Sequence, residues 1–250
     1  MRRLTVTFLG TNGWYDTATG NTICILIDAG AFYILLDAGN GIHKFNTYAR
    51  APKPVFLFLS HFHLDHIEGL HTLAKQRFTK GLTVISRKGA RDILGRILID
   101  PFTLALSDLP YSAEILETEE GPIDCPFPVE TRFLRHSTPT LGFRFALAGK
   151  TIAYCPDTGT CENALKLAER ADLLIAECAY RSGEELPEWP HLNPESAARL
   201  ARDARAGQLA LVHFDADRYR SFSDRNRARA AARKIFPRVI AARDGLVLKL

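Results

Sequence analysis

The chain has 250 residues, 46% apolar and 24% charged, with a formal net charge of +4. This balance argues against disorder and gives enough length to bury a substantial core, as one large domain or two small ones. The mild positive charge permits an anionic substrate without demanding one, and no apolar run reaches the length of a membrane span.

The Arg2-Arg3 pair before an apolar stretch has the charge order of a signal peptide. The alternation at residues 4–9 and the Gly10-Thr11-Asn12-Gly13 turn favour a first strand instead. Further short strands are expected at 22–28 and 32–37, and a buried strand at 55–60. The spacing of Ile67, Leu70, Leu73 and Ala74 predicts a helix over 66–78. A strand at 83–86 and a helix at 90–97 follow. Pro101, Pro110, Pro122, Pro126 and Pro128 then punctuate a segment of loops and short strands. Strands are expected at 129–134, 142–147, 151–154 and 173–177, with a helix at 164–171. Asn193-Pro194-Glu195 starts a helix, because Asn caps and Pro suits the first helical position. That helix runs to Ala204, with Gly207 beyond its end. A strand at 209–212 ends at His213. An Arg-rich helix over 224–235 stops before Pro237, and a last strand covers 246–250. There is no repeat of solenoid period and no low-complexity linker. The expectation is one α/β domain over residues 1–250, with two sheets face to face and helices outside. Cys24, Cys125, Cys155, Cys161 and Cys178 are odd in number and widely spaced, so they form no disulfide framework; a reducing cytoplasm is the expected location.

The most informative stretch is His61-Phe62-His63-Leu64-Asp65-His66, directly after the apolar run at 55–59. Imidazole and carboxylate donors together suit borderline metals such as zinc. Four donors so close in sequence cannot all reach one tetrahedral ion, which points to two ions and to hydrolysis. Three more donors sit at or just past strand ends: His136, Asp157 and His213. Strand ends gather residues distant in sequence at one rim. His43 and His71 have no such partners; the first reads as a surface residue and the second as structural.

This ordering resembles the metallo-β-lactamase superfamily. The resemblance implies a four-layer αβ/βα sandwich with the site at one edge. It implies that His61, His63 and His136 hold one metal, that Asp65, His66 and His213 hold the other, and that Asp157 bridges them. The ions would be zinc first, with manganese or iron accepted by the same donors. The expected reaction is hydrolysis by a metal-bridging hydroxide, with Asp65 also orienting the nucleophile. His63 stands where the oxygen-reducing di-iron branch carries an acidic residue, which favours non-redox chemistry.

Residues Leu9-Gly10-Thr11-Asn12-Gly13, Leu35-Leu36-Asp37-Ala38-Gly39-Asn40-Gly41, Leu141-Gly142-Phe143-Arg144-Phe145 and Ala176-Glu177-Cys178-Ala179-Tyr180 are similar to the ribonuclease Z-like branch. His191 ahead of His213 matches an additional His of that branch. It is the expected general acid for an alkoxide leaving group, with Glu177 orienting it. Against this stand the plain readings of His191 as a helix-entry residue and Glu177 as a strand end. Asp37 is expected to support the ligands or simply to end its strand. Transfer-RNA-processing members carry a long arm between the ligands that match His136 and Asp157. Here only residues 137–156 lie between them, which favours a smaller or cyclic phosphodiester, as in armless phosphodiesterases of the branch. The expected substrate is thus a small phosphodiester or a nucleic acid, with no membrane and with homodimerisation compatible with the branch. A thioester or lactone hydrolase on the same core is the alternative, and a non-catalytic nucleic-acid-binding member comes third. The cluster Arg218, Arg220, Arg225, Arg227, Arg229, Arg233 and Lys234 reads first as a solvated helix face and second as a surface for phosphate backbones. Trp14 and Tyr15 either flank the substrate or anchor packing, and Cys155 reads as a small buried residue.

Overall fold

The computed structural model describes residues 4–250; the Arg2-Arg3 pair lies outside them. The first half contains strands β1 (Thr5–Gly10), β2 (Asn12–Gly13), β3 (Cys24–Asp28) and β4 (Tyr33–Leu36), then helix α1 (Phe45–Tyr48) and β5 (Val55–Phe58). It continues with α2 (Leu64–Ile67), β6 (Leu82–Arg87), α3 (Ala90–Ile97) and β7 (Ala113–Thr118). The second half has β8 (Gly121–Pro122), β9 (Val129–Leu134), β10 (Thr140–Leu147), β11 (Lys150–Cys155), α4 (Glu162–Ala168) and β12 (Leu173–Glu177). After these come α5 (Pro194–Asp203), β13 (Leu209–Val212), β14 (Phe214–Asp215), α6 (Phe222–Arg233), β15 (Val239–Ala241) and β16 (Val247–Lys249).

Two seven-stranded sheets result, ordered β16-β1-β3-β4-β5-β6-β7 and β15-β13-β12-β11-β10-β9-β8. Their central strands are apolar on both faces because both faces are covered. Successive side chains point to opposite sides. In β5, Phe58 faces the other sheet, whereas Val55 and Leu57 pack in the outer layer with Phe45, Leu70 and Leu94. In β12, Leu173 and Ile175 face inward, while Leu174 and Ala176 meet Leu167, Ala197 and Ala228 of α4, α5 and α6. Three apolar interlayers therefore separate four layers: helices, sheet, sheet, helices. No helix among the described residues is long and apolar enough to cross a membrane.

The segment expected as a helix over 66–78 is a short α-turn followed by a 3-10 stretch, Glu68–Lys75. Leu70 and Leu73 are buried as their spacing requires. The α-ladder breaks because the Gly69 N–H donates to the Ala38 carbonyl at 2.9 Å. A Cβ at Gly69 would lie 2.3 Å from the Gly39 carbonyl oxygen, so only glycine permits this approach. The helix at Asn193 starts as expected: the Asn193 side chain accepts from the Ser196 N–H, and Pro194 follows.

The Arg-rich helix departs from a wholly solvated face. Arg225 is 2% exposed. Its Nη1 donates to Thr11 Oγ1 at 2.8 Å and to the Ala242 carbonyl at 3.2 Å, and its Nη2 donates to Asn12 Oδ1 and to Thr19 Oγ1. The guanidinium also lies 4.6 Å from the Phe214 ring centroid. Arg218 pairs with Glu184 and Asp215, Arg220 with Asp217, and Arg227 with Asp224. Three of the seven basic residues are thus ion-paired within the chain, and a fourth, Arg225, braces the loop at 11–19. Arg225→Ala is expected to lower unfolding free energy by about 2–4 kcal/mol, because several buried acceptors lose their donor. Urea unfolding measures this; a loss below about 0.5 kcal/mol, the level of a surface substitution, would show that the brace carries no stability.

Candidate metal centre

Strand direction brings the donors to one rim. β4 and β5 are parallel neighbours, so Asp37 and the segment 60–66 leave the first sheet at the same edge. In the second sheet β10 is antiparallel to both β9 and β11, and β11, β12 and β13 are parallel. β9, β11, β12 and β13 therefore run in one direction, and their ends deliver His136, Asp157, Glu177 and His213. Asp37 and His213 hold positive φ values of 56° and 52°. Asp and His tolerate this left-handed region better than most residues, at a cost of about 1–3 kcal/mol each.

The seven expected ligands come together. Donor atoms of His61, His63, His136 and Asp157 lie within 4.8 Å of one another, as do those of Asp65, His66 and His213. A third, overlapping set comprises Asp157, His191 and His213. The two oxygens of Asp157 divide between the first two sets. Oδ2 lies 3.9 Å from His61 Nε2 and 3.7 Å from His136 Nε2. Oδ1 lies 3.2 Å from His66 Nε2 and 3.3 Å from His213 Nε2. Yet Asp157 Oδ1 and His61 Nε2 are buried without a hydrogen-bond partner among the described residues. Orphaned buried polar atoms are rare and cost about 1–3 kcal/mol each. A divalent cation among these nitrogen and oxygen donors satisfies both, so the residues fit a metal.

Electrostatics agree with that fit for the first set. Burial pushes the imidazoles of His61 and His63 below their ordinary value and that of His136 to about 4, so this trio is neutral, as metal ligation requires. Burial acts against the charged forms of His66 and His213 too, but the Asp157 carboxylate, helped by Asp37 and Asp65 at His66 and by Asp65 at His213, overrides it and raises both. Asp65 and Asp157 stay ionised despite burial, because His66 and His213 stand against them.

Surrounding bonds fix the rings. Asp37 Oδ2 contacts His66 Nδ1 at 2.9 Å and accepts from Ser60 Oγ at 2.9 Å and from the Tyr154 hydroxyl at 2.6 Å. Ser60 Oγ lies 3.0 Å from His61 Nδ1. One buried carboxylate thus orients His66 directly and His61 through Ser60. His213 is held by contact: a Cβ on Gly13 would come within 2.5 Å of its Cε1 atom. The β2–β14 pairing, Asn12 with Phe214, sets that approach.

Beside the second set, His191 Nδ1 lies 2.7 Å from Glu177 Oε1. Glu177 is buried and also accepts from the Thr158 and Ala179 N–H groups at 2.7 and 3.0 Å. Burial alone would lower the His191 imidazole; the Glu177 carboxylate outweighs it and holds the group up at about 9. A cavity of about 360 Å³ opens here, lined by Trp14, His63, Asp65, Asp157, Trp189 and His191, among others.

Comparison with known proteins decides the family: residues 32–214 match the beta-lactamase superfamily domain. The chain belongs to the metallo-β-lactamase superfamily. It is 28% identical to the probable metallo-hydrolase YhfI of Bacillus subtilis, over 84% of this chain and 86% of that protein. It is 27% identical to a ribonuclease Z of Bacillus licheniformis, over 95% and 96% of the two chains. The crystal structure of YhfI superposes with a TM-score of 0.84 at 24% identity, covering 100% of both chains. That of the human short-form tRNase Z gives 0.74 at 23% identity, with 98% of each chain covered. The chain is a metal-dependent hydrolase of this superfamily.

Within this superfamily site, the residues outside the ligand set also have definite places. His43 and His71 join no convergent set among the described residues; both are exposed and contact nearby carbonyls, of Asn40 and Glu68. Cys155 is buried, with its sulfur towards the Ala164 carbonyl. Ser60, Tyr154 and Trp189 were not anticipated from sequence. Their only signals were the Ser before His61, the Tyr three residues before Asp157, and a Trp two residues before His191. Asp37→Asn is expected to weaken divalent-metal retention by about 10–100-fold, the usual cost of losing a supporting carboxylate. Competition with a chromogenic chelator measures it; unchanged affinity would remove Asp37 from the site.

Proposed function

We propose that this hydrolase is a dinuclear phosphodiesterase acting on small or cyclic phosphodiesters or RNA. The observation that carries the reading is the Glu177–His191 pair, 2.7 Å apart, beside a carboxylate whose two oxygens face two separate donor sets. His61, His63 and His136 would hold one ion, Asp65, His66 and His213 the other, and Asp157 would bridge them. Bound there, the ions would supply Lewis acidity and lower the pKa of water to about 7. Zinc suits the donors first, with manganese or iron as the other candidates.

The chain's own groups divide the remaining work. Asp65 Oδ2 accepts from the Trp14 N–H at 2.7 Å and lies 3.1 Å from His213 Nε2, so its carboxylate is fixed in place to orient the attacking water. His191 engages Glu177 through Nδ1, which leaves Nε2 to deliver a proton to the departing alkoxide oxygen. A poor leaving group needs that proton; an aryl oxide or a thiolate needs it little. This favours alkyl phosphodiesters over thioesters and aryl esters.

Substrate size is read from the segment between His136 and Asp157. It is a plain β10–β11 hairpin, turning at Ala148-Gly149. The alignment with the B. licheniformis enzyme runs over 300 residues, more than this chain contains, so that enzyme carries inserted segments. The short hairpin supports a small substrate over transfer RNA.

Purified protein is expected to carry close to two zinc or manganese ions per chain by elemental analysis; none after gentle purification would sink the dinuclear reading. Activity is tested on a panel of bis-aryl phosphodiester, cyclic nucleotides, precursor transfer RNA, thioester and lactone with added zinc or manganese. Turnover of the thioester or lactone with every phosphodiester inert would replace the reading with carboxylic-ester hydrolysis. His191→Ala is expected to slow an alkyl-leaving phosphodiester by about 100-fold or more and an aryl-leaving one by less than about 10-fold. Equal losses would rule out proton delivery by His191.

A further inference from the structure

The ligands and the acid account for bond cleavage, but two large side chains at the cavity mouth have no part in it. Trp14 is 57% exposed and Trp189 is 38% exposed, although both line the cavity over the metal ligands. Their rings lie 6.5 Å apart at 23°. Trp189 is also near-parallel to the His63 ring, 6.2 Å away at 4°. That separation is near the wide end of the roughly 4.5–7 Å range of paired rings, so the indoles are loosely paired and a planar ring enters between them once they part slightly.

Packing does not explain why Trp14 is where it is. Its backbone has φ 70°, a conformation that bulky residues rarely adopt and that costs about as much as other strained functional positions. Its N–H is tied to Asp65 Oδ2 at 2.7 Å, so the position of the indole is coupled to a ligand-set residue. The loop behind it is pinned by buried Arg225, which contacts Thr11, Asn12 and Thr19. Trp189 is fixed by its own N–H donating to the Leu186 carbonyl and by its carbonyl accepting from the Tyr180 hydroxyl. Two strapped, solvent-facing indoles on either side of a catalytic cavity are expensive to maintain unless a ligand covers them.

We propose that Trp14 and Trp189 form an aromatic clamp that grips the nucleobase of a single nucleotide, presenting its phosphate to the centre below. The proposal rests on the phosphodiesterase reading for the identity of the phosphate and narrows its substrate to nucleotides. The chemistry recognised is a planar ring joined to a phosphate; a nucleobase supplies the larger π-face for two bicyclic indoles. The cavity of about 360 Å³ is at the small end of ligand sites and suits one nucleotide, not a helix. Stacking of this kind is indifferent to base identity, so adenine, guanine and pyrimidine nucleotides are all accepted.

The test uses the protein's own signal. The chain has two tryptophans, and these are they, so its intrinsic tryptophan emission reports on the clamp alone. Titration of the metal-loaded protein with adenosine monophosphate is expected to quench that emission saturably, while ribose 5-phosphate binds at least about 10-fold more weakly by calorimetry. Trp14→Ala and Trp189→Ala are each expected to weaken adenosine monophosphate binding by roughly 10-fold, with Trp14→Phe and Trp189→Phe restoring most of it. Ribose 5-phosphate affinity should not change in any variant. Equal binding of the nucleotide and the sugar phosphate, or alanine variants with wild-type nucleotide affinity, would overturn the clamp. Phenyl phosphate binding as tightly as adenosine monophosphate would overturn the nucleobase assignment. These readouts are independent of turnover: a protein that cleaves no phosphodiester but shows the clamp behaviour loses only the reaction, and one that cleaves them without it loses only the clamp.

Discussion

Asp157 is 3% exposed and stands between imidazoles contributed by both sheets, and the rest of the rim is arranged around its carboxylate. A buried negative charge of this kind must be matched, because its desolvation costs several kcal/mol. His66 and His213 stand against one oxygen, while the trio on the other side gives the second no charged partner. A divalent cation beside this carboxylate would supply the charge that neutral imidazoles cannot. The same requirement explains the outer bonds: imidazoles that must present Nε2 inward need their Nδ1 atoms engaged elsewhere, and Ser60 and Asp37 meet that need for His61 and His66.

The sandwich makes this arrangement affordable. Strands apolar on both faces are held in register by two interlayers each, so their ends are fixed to within small tolerances. The chemistry then occupies only the loops that leave those ends. Most of the donors follow a strand by one to a few residues, and none lies in the middle of one. Strained backbone at Asp37, His213 and Trp14 is tolerated for the same reason, since the packed sheets can hold conformations the loops would not choose alone.

Much of this was legible in the sequence, and unevenly so. The six-residue run from His61 to His66 announced itself because ligand chemistry concentrates unusual residues at short spacing. His136, Asp157 and His213 were legible because each follows an apolar run of strand length. The period-two burial of β5 and β12 could not be read from hydropathy alone, since both faces are apolar and the pattern is continuous. The break in the 66–78 helix was hidden because it depends on Gly69 meeting residues 38–39, a tertiary contact with no local signature. Arg225 was hidden among six other basic residues of the C-terminal cluster, and only its contacts with the 11–19 loop set it apart. Trp189 lies in a loop with no periodicity, where composition says nothing about direction.

The pairing of β16 with β1, Val247 with Thr7 and Lys249 with Thr5, joins the two ends of the described chain in one sheet. Contacts of such long sequence separation form late, after the loop-closure entropy has been met. His213 and the Gly13 loop that shapes its position come from opposite halves of the chain, so the second donor set is complete only once those halves have docked. A metal ion captured early by the His61–His66 run would find only part of its final coordination there. The full donor arrangement is therefore a property of the finished fold, and not of the motif that first advertises it.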